Sequence, residues 1–448
     1  MGPSFVAETR ALACLVALML FPGLAVVRAP WAFVPFLSLS FWLLSAWWLP
    51  GGAPRSSFLG AALSFFVVLS SLRLLKPLSV QLPSGRTLGV LGLALSCLAP
   101  LALLPVAPGL GLASTEATLL HWRDGFPSTY EPLAPIAAFG AHAPGLPLLA
   151  ADVSRLSGLA AYRTVLLVSL AGAGLLVVAF YGLCVRRDRP RPGLYAACLV
   201  AAASVFVPAA LPRGDVLLAC AFGLSATAVL VRGSGRAPAV ASAFFLAGAF
   251  TVDGVVGVAS LASVALFADP SRRRLALLLG LGLALPRLAE LRAFSRAELQ
   301  VAAQDVMLAL VPGGPRGARS PDVPDPAALR AMAWLGAHTG PLDPICVSPG
   351  GPGAFVPAVA ARAAVPTQAP AVYRDEAAAG SQRECRFLLS LGPFLPAETP
   401  AVPPGTPLVP RGRRVFAEAG VEVFELASPA PAVTSFDKLP GNRAPPPP

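Results

Sequence analysis

The stretch 106–162 gathers Glu116, His121, Asp124, Glu131, His142 and Asp152, with Trp122, Arg123 and Tyr130 among them. Two of the chain's three histidines lie here. A carboxylate in such a setting can take a proton from an acceptor hydroxyl. It can also hold a divalent cation, Mg or Mn, against a phosphate. Arginine and histidine beside it can neutralise a phosphate leaving group. On a helix, residues 116, 120, 123 and 124 share a face, which would point Glu116 and Asp124 the same way. The competing reading is that each is a solvated charge capping a short interfacial helix. A connector this long and this rich in ionisable groups nevertheless reads as a functional surface.

Other candidates are weaker. Asp253, in TVDGVVG, reads as the turn between two apolar runs, and Asp215, in PRGD, reads as a helix cap. The glycines of 109–114 and 348–353 lack the strand–turn–helix setting of a phosphate cradle. There is no HExxH, no CxxC and no Ser/His/Asp arrangement, so no zinc or serine-nucleophile chemistry is indicated. Of seven cysteines, Cys14, Cys97, Cys184, Cys198 and Cys220 lie in or beside apolar runs and read as small hydrophobes. Cys346 and Cys385 fall in the last domain and can pair if it faces an oxidising compartment.

The elements that must position these residues are apolar. The chain is 55% hydrophobic and only 13% charged, with mean hydropathy +0.69. A soluble domain carries about 25% charged residues. So few charges fit a chain solvated by a bilayer. The net charge of +11 does not indicate nucleic acid, because the basic residues sit in short loops between apolar runs rather than on one face.

Apolar runs at 11–27, 31–50, 57–72, 87–105, 163–184, 193–211, 215–231, 237–251, 254–268 and 275–291 predict about ten spans of an α-helical polytopic membrane protein. The first run reads as a retained span: Glu8 and Arg10 cancel ahead of it, and no small-x-small cleavage site follows. Clusters at Arg186–Arg191, Arg272–Arg274, Arg232 with Arg236, and Arg73, Lys76 and Arg86 set the orientation. Placing all four in the cytoplasm puts 106–162, and everything after about 291, on the other side. The transmembrane domain is 1–291. A small α/β domain follows over 292–427, with a helix at 326–338 capped by Asp325. Strands are predicted at 345–348, 387–391, 414–416 and 421–426, and 428–448 reads as a disordered Pro-rich tail. High Ala, Arg, Pro and Gly usage with few lysines points to a GC-rich bacterial genome, hence a bacterial inner membrane.

Three segments carry a family resemblance. TEATLLHWRDGFPSTYEPLAP, running on to DVSRLSGLAAYRTVLL, resembles the outer loop of bacterial members of the GT-C superfamily of polyprenyl-phosphate-sugar-dependent membrane glycosyltransferases. ALRAMAWLGAHTGP is similar to the helix that opens their C-terminal domain, and RRVFAEAGVEVFEL to its closing hairpin. The resemblance covers roughly 110–428. It implies inverting transfer of a sugar from a polyprenyl-phosphate donor to an extracytoplasmic glycan, lipid or protein acceptor in the cell envelope. By position it implies Glu116 or Asp124 as the base, His121 as its partner and Arg123 as a phosphate contact, with Trp122, Tyr130, Glu131 and His142 around the substrate. The family places its catalytic acid after the first span, where this chain has only Arg28-Ala29-Pro30. Two other readings stand beside the transferase. One is a non-catalytic membrane protein of envelope assembly, a degenerate relative; the other is a lipid or solute transporter. A transporter would place ionisable or helix-breaking residues near the midplane of facing spans.

Overall fold

A computed structural model describes residues 3–26, 31–48, 54–74, 85–126, 144–184, 211–233, 236–291, 324–340, 343, 345–347, 355–366, 386–391 and 412–426. The chain divides into two compact units. The described helices of the first are α1 (Pro3–Leu20), α2 (Gly23–Val26), α3 (Val34–Trp48), α4 (Arg55–Leu74), α5 (Gly85–Ser96) and α6 (Gly111–Arg123). They continue with α7 (Gly145–Ser157), α8 (Ala161–Cys184), α9 (Gly214–Arg232), α10 (Ala237–Val252), α11 (Gly254–Phe267) and α12 (Pro270–Leu291).

Four segments are long and apolar enough to cross a membrane: Val6–Ala25, Arg55–Leu72, Ala161–Leu183 and Leu211–Val231. Val34–Trp48, Leu91–Leu103, Ala237–Val252 and Gly254–Phe267 are apolar but shorter. Most of the run 193–211 lies outside the described residues. The run 275–291 falls within α12, whose first turns carry Arg272, Arg273 and Arg274.

The helix breaks follow local chemistry. Asp253 is extended (φ −153°) and its carboxylate accepts from the Val256 amide at 2.8 Å, ending α10 and capping α11. The break read at Asp253 is therefore present. Asp215 is different. A 3-10 turn, Leu211–Arg213, leads into α9, so Arg213 occupies the cap position and Asp215 lies in the first turn. There its carboxyl group sits at the amide-rich helix end.

Small residues let the helices approach. A Cβ on Gly223 of α9 would stand 2.1 Å from Ser260 Oγ of α11, and one on Gly248 of α10 would stand 3.1 Å from the Phe222 ring. Around them Phe36, Phe222 and Phe245 are fully buried, with the Phe36 ring 5.7 Å and 5.8 Å from the other two. At roughly 1.5 Å per residue, α7 is about 20 Å long and too short to span. It is buried along nearly its whole length, through Ser154 and again at Ser157, among α1, α3, α4, α6, α8, α9 and α10.

The second unit holds α13 (Pro326–His338), α14 (Val356–Ala360) and a five-stranded sheet ordered β2-β1-β3-β5-β4. The strands are β1 (Ile345–Val347), β2 (Ala364–Pro366), β3 (Phe387–Leu391), β4 (Gly412–Glu418) and β5 (Val421–Leu426). β1 runs parallel to β2 and β3, and β5 antiparallel to β3 and β4. The α13 bounds match the sequence reading, and Asp325 Oδ1 accepts from the Ala328 amide at 2.6 Å. The β4–β5 turn is Ala419-Gly420, both at positive φ, which only a short hairpin turn needs. Two elements were not legible beforehand, α14 and the edge strand β2. Arg362, just before β2, ties the two layers by donating to the Gly336 and Thr339 carbonyls at the end of α13. Cys346 is disulfide-bonded. Its expected partner, Cys385, and the tail 428–448 lie outside the described residues.

One close approach gives a direct test of the α7 placement. A Cβ on Gly145 would stand 2.6 Å from the Thr251 carbonyl oxygen and 2.9 Å from Val252 Cα, both backbone atoms that cannot swing aside. Gly145→Ala should therefore destabilise the first unit by about 1–3 kcal/mol, read as a lower melting temperature of the purified protein in detergent. An unchanged melt would contradict this packing.

Candidate functional site

The polar residues of 106–162 are not spread over a solvated surface. Asp152 of α7 is fully buried, and Glu116 of α6 is only 2% exposed. The reading of these charges as solvated helix caps fails for both. Burial of Asp152 is possible because Arg55, the first residue of α4, meets it with a two-point contact. Arg55 Nη2 donates to Asp152 Oδ2 at 2.7 Å and Nε to Oδ1 at 3.3 Å. The same guanidinium donates to the Ser45 hydroxyl (2.9 Å) and the Trp42 carbonyl (2.7 Å) of α3. Arg155, one turn along α7, donates to Asp152 Oδ1 at 3.1 Å and to the Leu120 carbonyl of α6. Two arginines thus enclose one carboxylate, and both are buried with it.

Asp124 completes the cluster. It terminates α6 in the left-handed region (φ 51°), so it leaves the helical face shared by 116, 120 and 123. The expectation that Glu116 and Asp124 point together is corrected on that ground: a positive φ turns the chain out of the helix before Asp124 can join the row. Asp124 instead caps another helix. Its Oδ1 accepts from the Ser56 amide at 2.8 Å, its Oδ2 accepts from the Ser56 hydroxyl at 2.6 Å, and its carbonyl accepts from the Arg55 amide at 3.2 Å. Arg155 Nε stands 3.5 Å from Oδ1. The side chain remains about one-third exposed.

His121 lies one turn inside that terminus, half-buried, with Nδ1 3.2 Å from Ser154 Oγ. Burial pulls its pKa below the ordinary histidine value. The Arg155 charge pulls the same way, and the Asp124 carboxylate opposes both. Trp122 is half-buried and Arg123 exposed at the same helix end. Tyr130, Glu131 and His142 lie outside the described residues. The structure therefore brings His121 and Asp124 together with Arg155, Asp152 and Arg55. It places Glu116 more than one turn back along α6 and buries it.

Arg55, Ser56, Ser154 and Arg155 were not singled out by sequence reasoning. The available signal was the Asp152/Arg155 spacing of three in an otherwise apolar helix, which predicts a paired charge on one face. The distant partner, Arg55, has no sequence signal at all. Among the described residues no three of His, Cys, Asp and Glu gather as a metal site. The Asp124 and Asp152 carboxylates are already held by guanidinium, amide and hydroxyl donors. This donor set does not fit a divalent cation, and no step is derived through one. No protein-family model, curated protein or solved structure matches the chain.

Two outcomes follow from this geometry. Asp152→Asn leaves the buried Arg55 without its counter-charge and should cost about 3–5 kcal/mol. Asp269→Asn, which breaks the more exposed pair with Arg272, should cost little. Comparative melting in detergent separates the two, and equal losses would deny Asp152 its central place. Because the His121 pKa is lowered in the fold, the unfolded chain takes up the proton first. Stability should fall as pH drops from about 6.5 toward the lower folded value. His121→Asn should flatten that portion of the stability–pH curve.

Proposed function

We propose that the chain is a membrane glycosyltransferase that moves a sugar from a polyprenyl-phosphate carrier to an extracytoplasmic acceptor. The observation that carries this reading is that the polar layer lies at one end of the helical unit and Arg272 at the other. Gly214 at the start of α9 packs on Ser169 of α8, and Gly172 of α8 packs on Leu218 of α9, so α8 and α9 run parallel. Both begin at the end where α6 and α7 meet them: Leu110 approaches Gly214, and Gly109 approaches Pro212. At the far end, Arg272 donates to the Leu230 and Gly233 carbonyls where α9 finishes. Arg186–Arg191 follow the C-terminus of α8 in sequence.

With the arginines in the cytoplasm, the α6–α7 layer faces outward, where lipid-linked sugars are used. Ten spans, a bacterial inner membrane and an extracytoplasmic C-terminal domain belong to the same proposal, and the Cys346 disulfide supports the last. The catalytic group is drawn from Glu116, His121 and Asp124. Trp122 and Arg123, at the end of α6, are the described candidates for contact with the substrate, and the resemblance adds Tyr130, Glu131 and His142. One observation favours the second reading, a non-catalytic envelope protein: the Asp124 carboxylate is already committed to capping α4.

Mass spectrometry of lipid-linked sugars and envelope glycans in a deletion strain tests the proposal. A transferase predicts that one polyprenyl-phosphate sugar accumulates, one glycan lacks a residue, and re-expression of the chain reverses both. Unchanged lipid and glycan profiles would sink it.

A further inference from the structure

We propose that Ser154 is a positioning residue that holds His121 as its Nδ1–H tautomer, so that the imidazole Nε2 is the atom that takes the acceptor's proton. The inference rests on the transferase reading and goes beyond it by moving the base from a carboxylate to the histidine. Ser154 has one hydroxyl proton and, among the described residues, two polar neighbours at its oxygen. The Leu159 carbonyl oxygen, 2.7 Å away, can only accept, so the hydroxyl proton goes there. His121 Nδ1, 3.2 Å from the same oxygen, must then be the donor. A neutral ring that carries its proton on Nδ1 has its lone pair on Nε2.

The turn that makes this possible is local. Gly158 ends α7 at φ +77°, and the chain folds back so that the Leu159 carbonyl returns to Ser154. The carboxylates nearby are poorer proton acceptors. Asp124 accepts from the Ser56 amide and hydroxyl and faces Arg155. Asp152 is enclosed by Arg55 and Arg155. Glu116 is buried. Burial, and after it the Arg155 charge, favours the neutral ring at His121.

In the reaction the acceptor O–H proton passes to Nε2 while the acceptor oxygen forms a bond to the anomeric carbon. The bond from that carbon to the phosphate oxygen breaks, and its electron pair leaves with the polyprenyl phosphate. The imidazolium then returns its proton to water.

With only three histidines in the chain, nitrogen NMR of the full-length, 15N-histidine-labelled protein in detergent can read the ring directly. The His121 signals are assigned by their loss in His121→Asn. The expected spectrum has a protonated Nδ1 and an unprotonated Nε2. Ser154→Ala should shift the population toward the Nε2–H form, and Ser154→Thr, which keeps the hydroxyl, should restore it. In the strain assay His121→Asn should cut transfer by roughly 10²–10⁴-fold, and Ser154→Ala should lower turnover with donor KM unchanged. A wild-type ring protonated on Nε2, a ring unmoved by Ser154→Ala, or full transfer by His121→Asn would each overturn the proposal. A deletion strain with unchanged lipid-linked sugars and glycans would overturn the transferase reading, while the nitrogen spectrum would still decide the tautomer.

Discussion

A buried carboxylate with no solvent around it must be matched by a positive charge at close range, and Asp152 is matched by Arg55. An ion held in a low-dielectric interior loses several kcal/mol of hydration, and only good geometry with further hydrogen bonds recovers it. Both conditions are met here: two guanidinium–carboxylate contacts, plus donations from Arg55 to Ser45 and Trp42. Four helices are consequently tied at one point. α3 supplies the acceptors, α4 the guanidinium, α7 the carboxylate, and α6 joins through Asp124 and the Leu120 carbonyl. The Trp42 indole extends the tie to α1 by donating to the Leu18 carbonyl.

That constraint governs what the nearby groups can do. Arg155 is held by Asp152, Asp124 and the Leu120 carbonyl, which keeps its positive charge close to His121. Asp124 cannot turn away without uncapping the first turn of α4. The groups that look reactive by type are therefore unequal in availability. Asp124 and Asp152 are spent on structure, and the imidazole is aimed by a hydroxyl that is itself fixed by a helix-ending turn. Residues that hold a helix bundle together can thus also set the protonation state of a neighbour.

The rest of the first unit relies on a different device. Where α9, α10 and α11 meet, no arginine–carboxylate cluster is buried among the described residues; small residues allow close approach, as at Gly223 against Ser260 and Gly248 against Phe222, and the Thr227 and Ser263 hydroxyls meet at 3.2 Å. Close backbone approach supplies dispersion contacts where a bilayer offers no hydrophobic drive between helices. The large apolar side chains that remain exposed, such as Phe65, Leu93, Val258 and Leu278, lie on helix faces that such a solvent would cover.

Sequence alone determined the apolar runs, the helix at 326–338 with its Asp325 cap, the break at Asp253 and the hairpin around Ala419-Gly420. Each depends on neighbours a few residues apart, through periodicity, capping or turn sterics. It also marked 106–162 as the stretch rich in chemistry. It did not show that Asp152 pairs with a residue 97 positions away, nor that Asp124 would leave its helix to cap α4. Nor did it show that Ser154 would choose the tautomer of a histidine on another helix. Those outcomes depend on which surfaces meet when the chain packs. A buried charge, a helix end and a hydroxyl each accept many partners in principle, and only the tertiary fold selects the one within hydrogen-bonding reach.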